Sequence, residues 1–89
     1  MTEREVEKYL VAAVKERSGE CRKLKWLDRN GAPDRLVMLP GGRLTFVELK
    51  ATGGGCQPHQ KREHARLRHV GQHVEVVDSY ARVDEVLNG

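Results

Sequence analysis

The 89-residue sequence predicts a small α/β domain in the order α-β-β-β-α-β, closed by a short helical tail. Three observations predict it. Apolar residues recur at helical spacing near the start. Two nearly continuous apolar runs flank a Pro40-Gly41-Gly42 turn. A proline-led helical stretch then leads into a third apolar run, Val74 to Val77. A chain of this length is expected to form one domain, residues 1–89, with a mixed central sheet flanked by helices.

Thr2-Glu3-Arg4-Glu5 has the form of a capping box, with Thr2 as N-cap and Glu5 three positions on. Val6, Leu10, Ala13 and Val14 follow on one helical stripe, and Ser18-Gly19 ends it, so a helix is expected over residues 3–17. Residues 21–27 alternate between Cys21, Lys23, Lys25, Leu27 and Arg22, Leu24, Trp26, the pattern of an edge strand with a polar face. Asp28 to Pro33 is a loop by composition. Residues 36–39 and 44–49 form a hairpin, and their apolar character predicts central strands covered on both faces. Gly53-Gly54-Gly55 is a loop, and Pro58 suits the first turn of a helix that runs to Val70 and stops at Gly71. Leu67 and Val70 are expected to face the sheet. Residues 74–77 make the last central strand and residues 83–87 a terminal helix.

Composition narrows the function classes. Lys and Arg total 16 against 13 Asp and Glu, a net charge of +3 that leans mildly toward a polyanionic partner. The two cysteines, Cys21 and Cys56, form no CxxC pair, which argues against a zinc ribbon or an iron–sulfur site. No apolar run approaches the roughly 20 residues that cross a bilayer, and no signal-peptide pattern opens the chain. The expectation is a cytoplasmic protein with free thiols and no membrane partner.

The chemistry concentrates in two short motifs, Pro33-Asp34 and Glu48-Leu49-Lys50. Side chains alternate along a strand, so Glu48 and Lys50 share one face while Val47 and Leu49 take the other. Pairing about the Pro-Gly-Gly turn lets Asp34 enter its strand where Glu48 leaves the next. Two carboxylates at one sheet end offer the hard oxygen ligands that Mg²⁺ or Mn²⁺ prefers. A lysine two residues beyond orients or deprotonates an attacking water and steadies charge on a phosphorane-like transition state. The ordinary alternative is a turn aspartate and a surface ion pair worth under about 1 kcal/mol.

With these motifs in place, the sequence resembles the PD-(D/E)xK nuclease superfamily and, within it, the virus-type replication-repair nuclease (VRR-Nuc) family of stand-alone phage and bacterial type. The resemblance is carried by Gly31-Ala32-Pro33-Asp34-Arg35, Phe46-Val47-Glu48-Leu49-Lys50-Ala51, Gln60 at a helix start, and Val74 to Asp78. It implies a restriction-endonuclease-like αβββαβ core. It implies that Asp34 and Glu48 bind Mg²⁺ or Mn²⁺, that the backbone carbonyl of Leu49 is a further ligand, and that Lys50 serves the water. Gln60 is expected beside the metal, its alternative role being a helix cap. The family also places a first-helix glutamate near the metal. Glu7, at the edge of the apolar stripe, is preferred over Glu3, whose position in the first turn the helix dipole already explains.

The implied activity is a metal-dependent DNA endonuclease selective for branched or Holliday-junction-like DNA, acting as a homodimer. A bacterial or phage-infected cell is the expected setting, and DNA repair the expected context. The alternatives are a monomeric flap or single-strand nuclease of the same fold and a non-catalytic DNA-binding module. Lys61, Arg62, Arg66 and Arg68 make the second helix cationic, and Arg29 and Arg35 flank the Asp34 loop, so these side chains are candidate phosphate contacts. His59, His64 and His69 lie five apart, which does not stack them on one helical side, so they are not read as a metal site.

Overall fold

The computed structural model describes residues 1–89. Its elements are α1 (Glu3–Glu16), β1 (Glu20–Lys23), β2 (Arg35–Leu39), β3 (Arg43–Leu49), α2 (Pro58–His69), β4 (Val74–Val77) and α3 (Tyr80–Asn88). The sheet runs β1-β2-β3-β4, antiparallel through β1, β2 and β3 and parallel between β3 and β4. This is the expected mixed α/β architecture.

Thr2 caps α1 as expected: its Oγ1 accepts from the Glu5 amide at 3.2 Å, and its own amide donates to Glu5 Oε1 at 2.9 Å. Thr2→Ala removes one half of this reciprocal pair and is expected to cost about 1 kcal/mol, read as a lowered denaturation midpoint at unchanged m-value. The stripe Val6, Leu10, Ala13 and Val14 packs onto Val37, Leu39, Val47, Leu49 and Val77 of the sheet and onto Val83 and Leu87 of α3. Tyr9 ties α1 to α3, stacking on Tyr80 with ring centroids 4.2 Å apart and donating to Asp84 Oδ1 at 2.8 Å. The apolar core therefore lies on one side of the sheet, between the strands and the α1–α3 pair.

The other side is built differently. The only buried residues of α2 are Glu63 and His64, and Val70 is 67% exposed. The expectation that Val70 faces the sheet is overturned, because this helix covers polar groups and turns a polar face inward. Two further boundaries move. The first strand ends at Lys23 rather than residue 27, since the Leu24 amide donates to the Asp34 carbonyl and Trp26 turns away onto Phe46. The last helix begins at Tyr80 rather than residue 83, because Ser79 Oγ accepts from the Arg82 amide and starts it earlier.

The free edge of β4 is closed by side chains. Its carbonyls at His73 and Val77 accept from β3 and the residue following it, while Val74 and Val76 point outward. Arg68 donates to the Val74 carbonyl at 2.7 Å and Arg82 to the Val76 carbonyl at 3.3 Å, so guanidinium groups occupy the acceptors an incoming strand would need. Cys21 and Cys56 are free thiols, and no helix is long and apolar enough to cross a membrane.

Candidate active site

The β2–β3 register sets Arg35 opposite Val47, which brings Asp34 across from Glu48. Asp34 Oδ2 accepts from the Leu49 amide at 2.8 Å, so the carboxylate is pinned to the strand that carries Glu48. The alternation along β3 holds: Val47 and Leu49 belong to the apolar core, while Glu48 turns to the opposite side. Lys50 follows Glu48 on that side and is held by its amide, which donates to the Val77 carbonyl. The hairpin thus fixes three chemical groups at one end of the sheet.

Glu48 is 1% exposed. Burial first, and then the neighbouring Asp34 carboxyl, push its pKa up to about 8, against the opposing pull of Lys50. Its two oxygens have different partners. Oε1 lies 3.2 Å from His64 Nε2, and Oε2 accepts from Gln60 Nε2 at 3.4 Å and lies 3.9 Å from Lys50 Nζ. His64 is itself buried, and desolvation lowers its pKa, with Arg68 and Lys50 adding to the same direction. Both shifts favour an uncharged pair at neutral pH, a carboxyl beside a neutral imidazole.

Gln60 caps its helix and also reaches the strand-end carboxyl. Its Oε1 accepts from the Gln57 amide at 2.9 Å, capping the start of α2, and from Lys50 Nζ at 2.8 Å. With Nε2 on Glu48, one amide links helix, lysine and carboxylate.

The helix-one carboxylate departs from expectation. Glu7 rises from α1 beneath the core side of the sheet and pairs with Arg35 at 3.0 Å. Strand alternation explains this: Arg35 shares its face with Val37, opposite to Glu48. Glu3 sits exposed in the first turn of α1. The Thr52 amide donates to the Met1 carbonyl, which sets the start of α1 beside the strand end that carries Lys50. Arg35 is likewise committed to Glu7 with its side chain 13% exposed, and so is not free for a phosphate.

Sequence reasoning missed a second buried acid, Glu63. Trp26 Nε1 donates to its Oε2 at 2.6 Å, and Arg29 and Arg66 reach its Oε1 at 3.4 and 3.3 Å. These contacts fasten the loop after β1 to α2. Gly31 sits between them with φ +93°, where an added Cβ would lie 3.0 Å from the His59 carbonyl and 3.1 Å from Glu63 Cβ. Lys61 and Arg62 remain exposed on the outer side of α2. Neither Glu63 nor His64 carries a motif. Two signals point to Glu63: it shares the helical stripe of Gln60, Leu67 and Val70, and Trp26 is an indole in a charged loop that needs an acceptor when it is buried.

The donor set suits a hard divalent cation. Asp34 and Glu48 present carboxyl oxygens to one space, and a cation there would take the place of the proton that burial beside a second acid leaves on Glu48. No third His, Cys, Asp or Glu completes a protein cage. Mg²⁺ commonly binds through one or two carboxylates while keeping several waters, whereas structural zinc takes four protein ligands.

No family model matches the sequence. Over 74 residues the chain is 49% identical to "Putative nuclease p44" of Acyrthosiphon pisum secondary endosymbiont phage 1, covering 83% of this chain and 80% of that protein. A solved structure described as a VRR_NUC domain superposes with a TM-score of 0.89 at 41% identity, over 99% of this chain and 97% of the other. Identity at this level across nearly the whole of both chains, on the fold and strand-end site described above, shows that the chain belongs to the VRR-Nuc family.

Proposed function

We propose that this protein is an Mg²⁺- or Mn²⁺-dependent endonuclease that hydrolyses DNA phosphodiesters, selects branched DNA and acts as a homodimer. The observation that carries the reading is the convergence of Asp34, Glu48 and Lys50 at one strand end, with Gln60 holding Lys50 beside the buried carboxyl. Kinship to a phage protein named as a nuclease supports the same chemistry.

A divalent cation held by Asp34, Glu48 and the Leu49 carbonyl would neutralise charge on the scissile phosphate and acidify the attacking water. The remaining work falls to the chain. The Leu49 amide fixes Asp34 so that its second oxygen faces Glu48. His64 holds one oxygen of Glu48 and leaves the other toward Gln60 and Lys50. Lys50 Nζ, steadied by Gln60, orients the water for in-line attack on phosphorus as the opposite P–O bond breaks, and steadies the charge that develops on the phosphoryl oxygens. Lys61, Arg62, Arg66 and Arg29 present cations around the site for the DNA backbone.

Branched DNA is favoured because the described domain adds no recognition helix or zinc finger for reading base sequence. A homodimer fits a small core and would place two sites on two strands. The test is a cleavage panel of four-way junctions, flaps, duplex and single strands with Mg²⁺, Mn²⁺ or EDTA, with sedimentation velocity on the same preparation. Metal-dependent cutting of junctions by a dimer is expected. A monomer that cuts flaps or single strands would overturn the junction reading, and DNA binding in EDTA without turnover in Mn²⁺ would overturn catalysis.

A further inference from the structure

The loop between β1 and β2 presents an unusual combination. Leu27 at its tip is 94% exposed, while both of its flanks are fastened to the body of the protein. On one side Trp26 packs edge-on against Phe46, with centroids 6.4 Å apart, and donates to buried Glu63. On the other side Arg29 pairs with the same Glu63, and Gly31 seats so closely against α2 that an added Cβ would crowd the His59 carbonyl and Glu63. The Leu24 amide N–H donates a hydrogen bond to the Asp34 carbonyl and closes the loop at its base. A loop held in this way loses little conformational freedom on binding, and its apolar tip is displayed without a partner of its own.

The setting of the tip selects the kind of partner. Lys23, Lys25 and Arg29 are exposed along the same stretch of chain, and Asp28 is the only acid between residues 23 and 31. An apolar prong in a cationic rim matches a polyanion that contains an apolar interior, which is what a DNA branch point offers. Phosphates meet the lysines, and unstacked bases meet the side chain. Apolar wedges that part base steps are an established way for proteins to kink or open DNA.

Resting on the nuclease reading above, we infer that Leu27 is a wedge that enters the branch point of the DNA substrate and separates the bases there. The same loop ends at Asp34, so the wedge also measures where the cut falls. Three residues span at most about 11 Å, which keeps Leu27 within about 15 Å of the Leu24–Asp34 closure, a distance of roughly four nucleotide steps. Cuts are therefore expected within about five nucleotides of the branch.

The test uses the full chain in EDTA, which separates binding from cleavage, and a four-way junction carrying 2-aminopurine at the branch point. Wild-type protein is expected to raise the fluorescence severalfold as the base unstacks. Leu27→Ser, an exposed substitution that leaves the fold intact, is expected to abolish the rise and to weaken junction binding by roughly tenfold, the scale of losing one buried leucine side chain. Leu27→Phe is expected to restore the rise. Junction binding by wild type with no rise, or an equal rise with Leu27→Ser, would overturn the wedge and leave the nuclease reading standing. Failure of wild type to bind any DNA would overturn both. A Leu27→Ser variant that sediments more slowly with its fluorescence response unchanged would show instead that the tip contacts a second copy of this chain.

Discussion

Lys50→Ala is expected to lower DNA cleavage by about 10²- to 10⁴-fold while leaving DNA affinity within a few-fold of wild type. The reason lies in what holds the lysine. Its Nζ is 2.8 Å from Gln60 Oε1 and 3.9 Å from Glu48 Oε2, so it is aimed at the carboxyl pair rather than outward at a phosphate backbone. On the proposed mechanism, loss of Lys50 removes the group that orients water and steadies the transition state, while the exposed arginines and lysines remain to bind DNA. Asp34→Asn should behave alike at the catalytic step, since the asparagine oxygen still accepts from the Leu49 amide but carries no charge for a cation. Single-turnover rates against anisotropy-derived affinities separate the two quantities. Full activity in either variant would remove the site from Asp34 and Lys50.

Removing metal should expose a pH dependence of stability that Glu48 dominates. Its pKa in the folded protein is raised from 4.5 to about 8. The folded state therefore holds a proton that the unfolded state releases at lower pH, and stability falls as pH rises toward 8. His64 acts in the opposite sense, because its pKa is lowered in the folded state, so its contribution grows as pH rises and is complete by about 6.5. Between pH 6.5 and 8 Glu48 acts without that opposition. At about 1.4 kcal/mol per pH unit the loss across this window is on the order of 2 kcal/mol, or roughly 10 °C in melting temperature for a domain of this size. Thermal melts of EDTA-treated protein across that window measure it, and Glu48→Gln should flatten the slope. Saturating Mg²⁺ should stabilise the protein more at pH 8 than at pH 6.5, since the cation takes the ionised carboxylate. A flat profile in the metal-free wild type would contradict the buried, protonated Glu48.

The contrast between the two sides of the sheet explains which parts of the structure were legible in the sequence. Val6, Leu10, Ala13 and Val14 announce α1 because burial there is apolar and periodic. The alternation Val47-Glu48-Leu49-Lys50 assigns each side chain to a face for the same reason, and the Pro-Gly-Gly turn then places Asp34 across from Glu48. α2 defeats the same reasoning. Glu63 and His64 are as buried as the core leucines, yet on a helix this polar they look like solvated charges. Hydropathy records a preference for water, and these two residues satisfy that preference with Trp26, Arg29, Arg66 and Glu48 instead. The sequence offers no better hold on Glu7 and Glu3, for a related reason. Both fit the helical pattern, and only the pairing of Glu7 with Arg35 and the approach of Met1 to Thr52 distinguish them.

The polar underside of α2 also divides the molecule into parts of unequal cooperativity. α1, α3 and the strands share one apolar cluster, whereas α2 contributes no residue to that cluster and follows the glycine-rich stretch after Lys50. Hydrogen bonds without apolar burial mark the segments of a protein that unfold locally at the lowest free energy. Asp34, Glu48 and Lys50 therefore stand on the last part of the molecule to open, and Gln60 and His64 on the first. The strand-borne carboxyls would then outlast the helix that packs on them, so any cation affinity of the proposed site would be coupled to the docking equilibrium of a single helix.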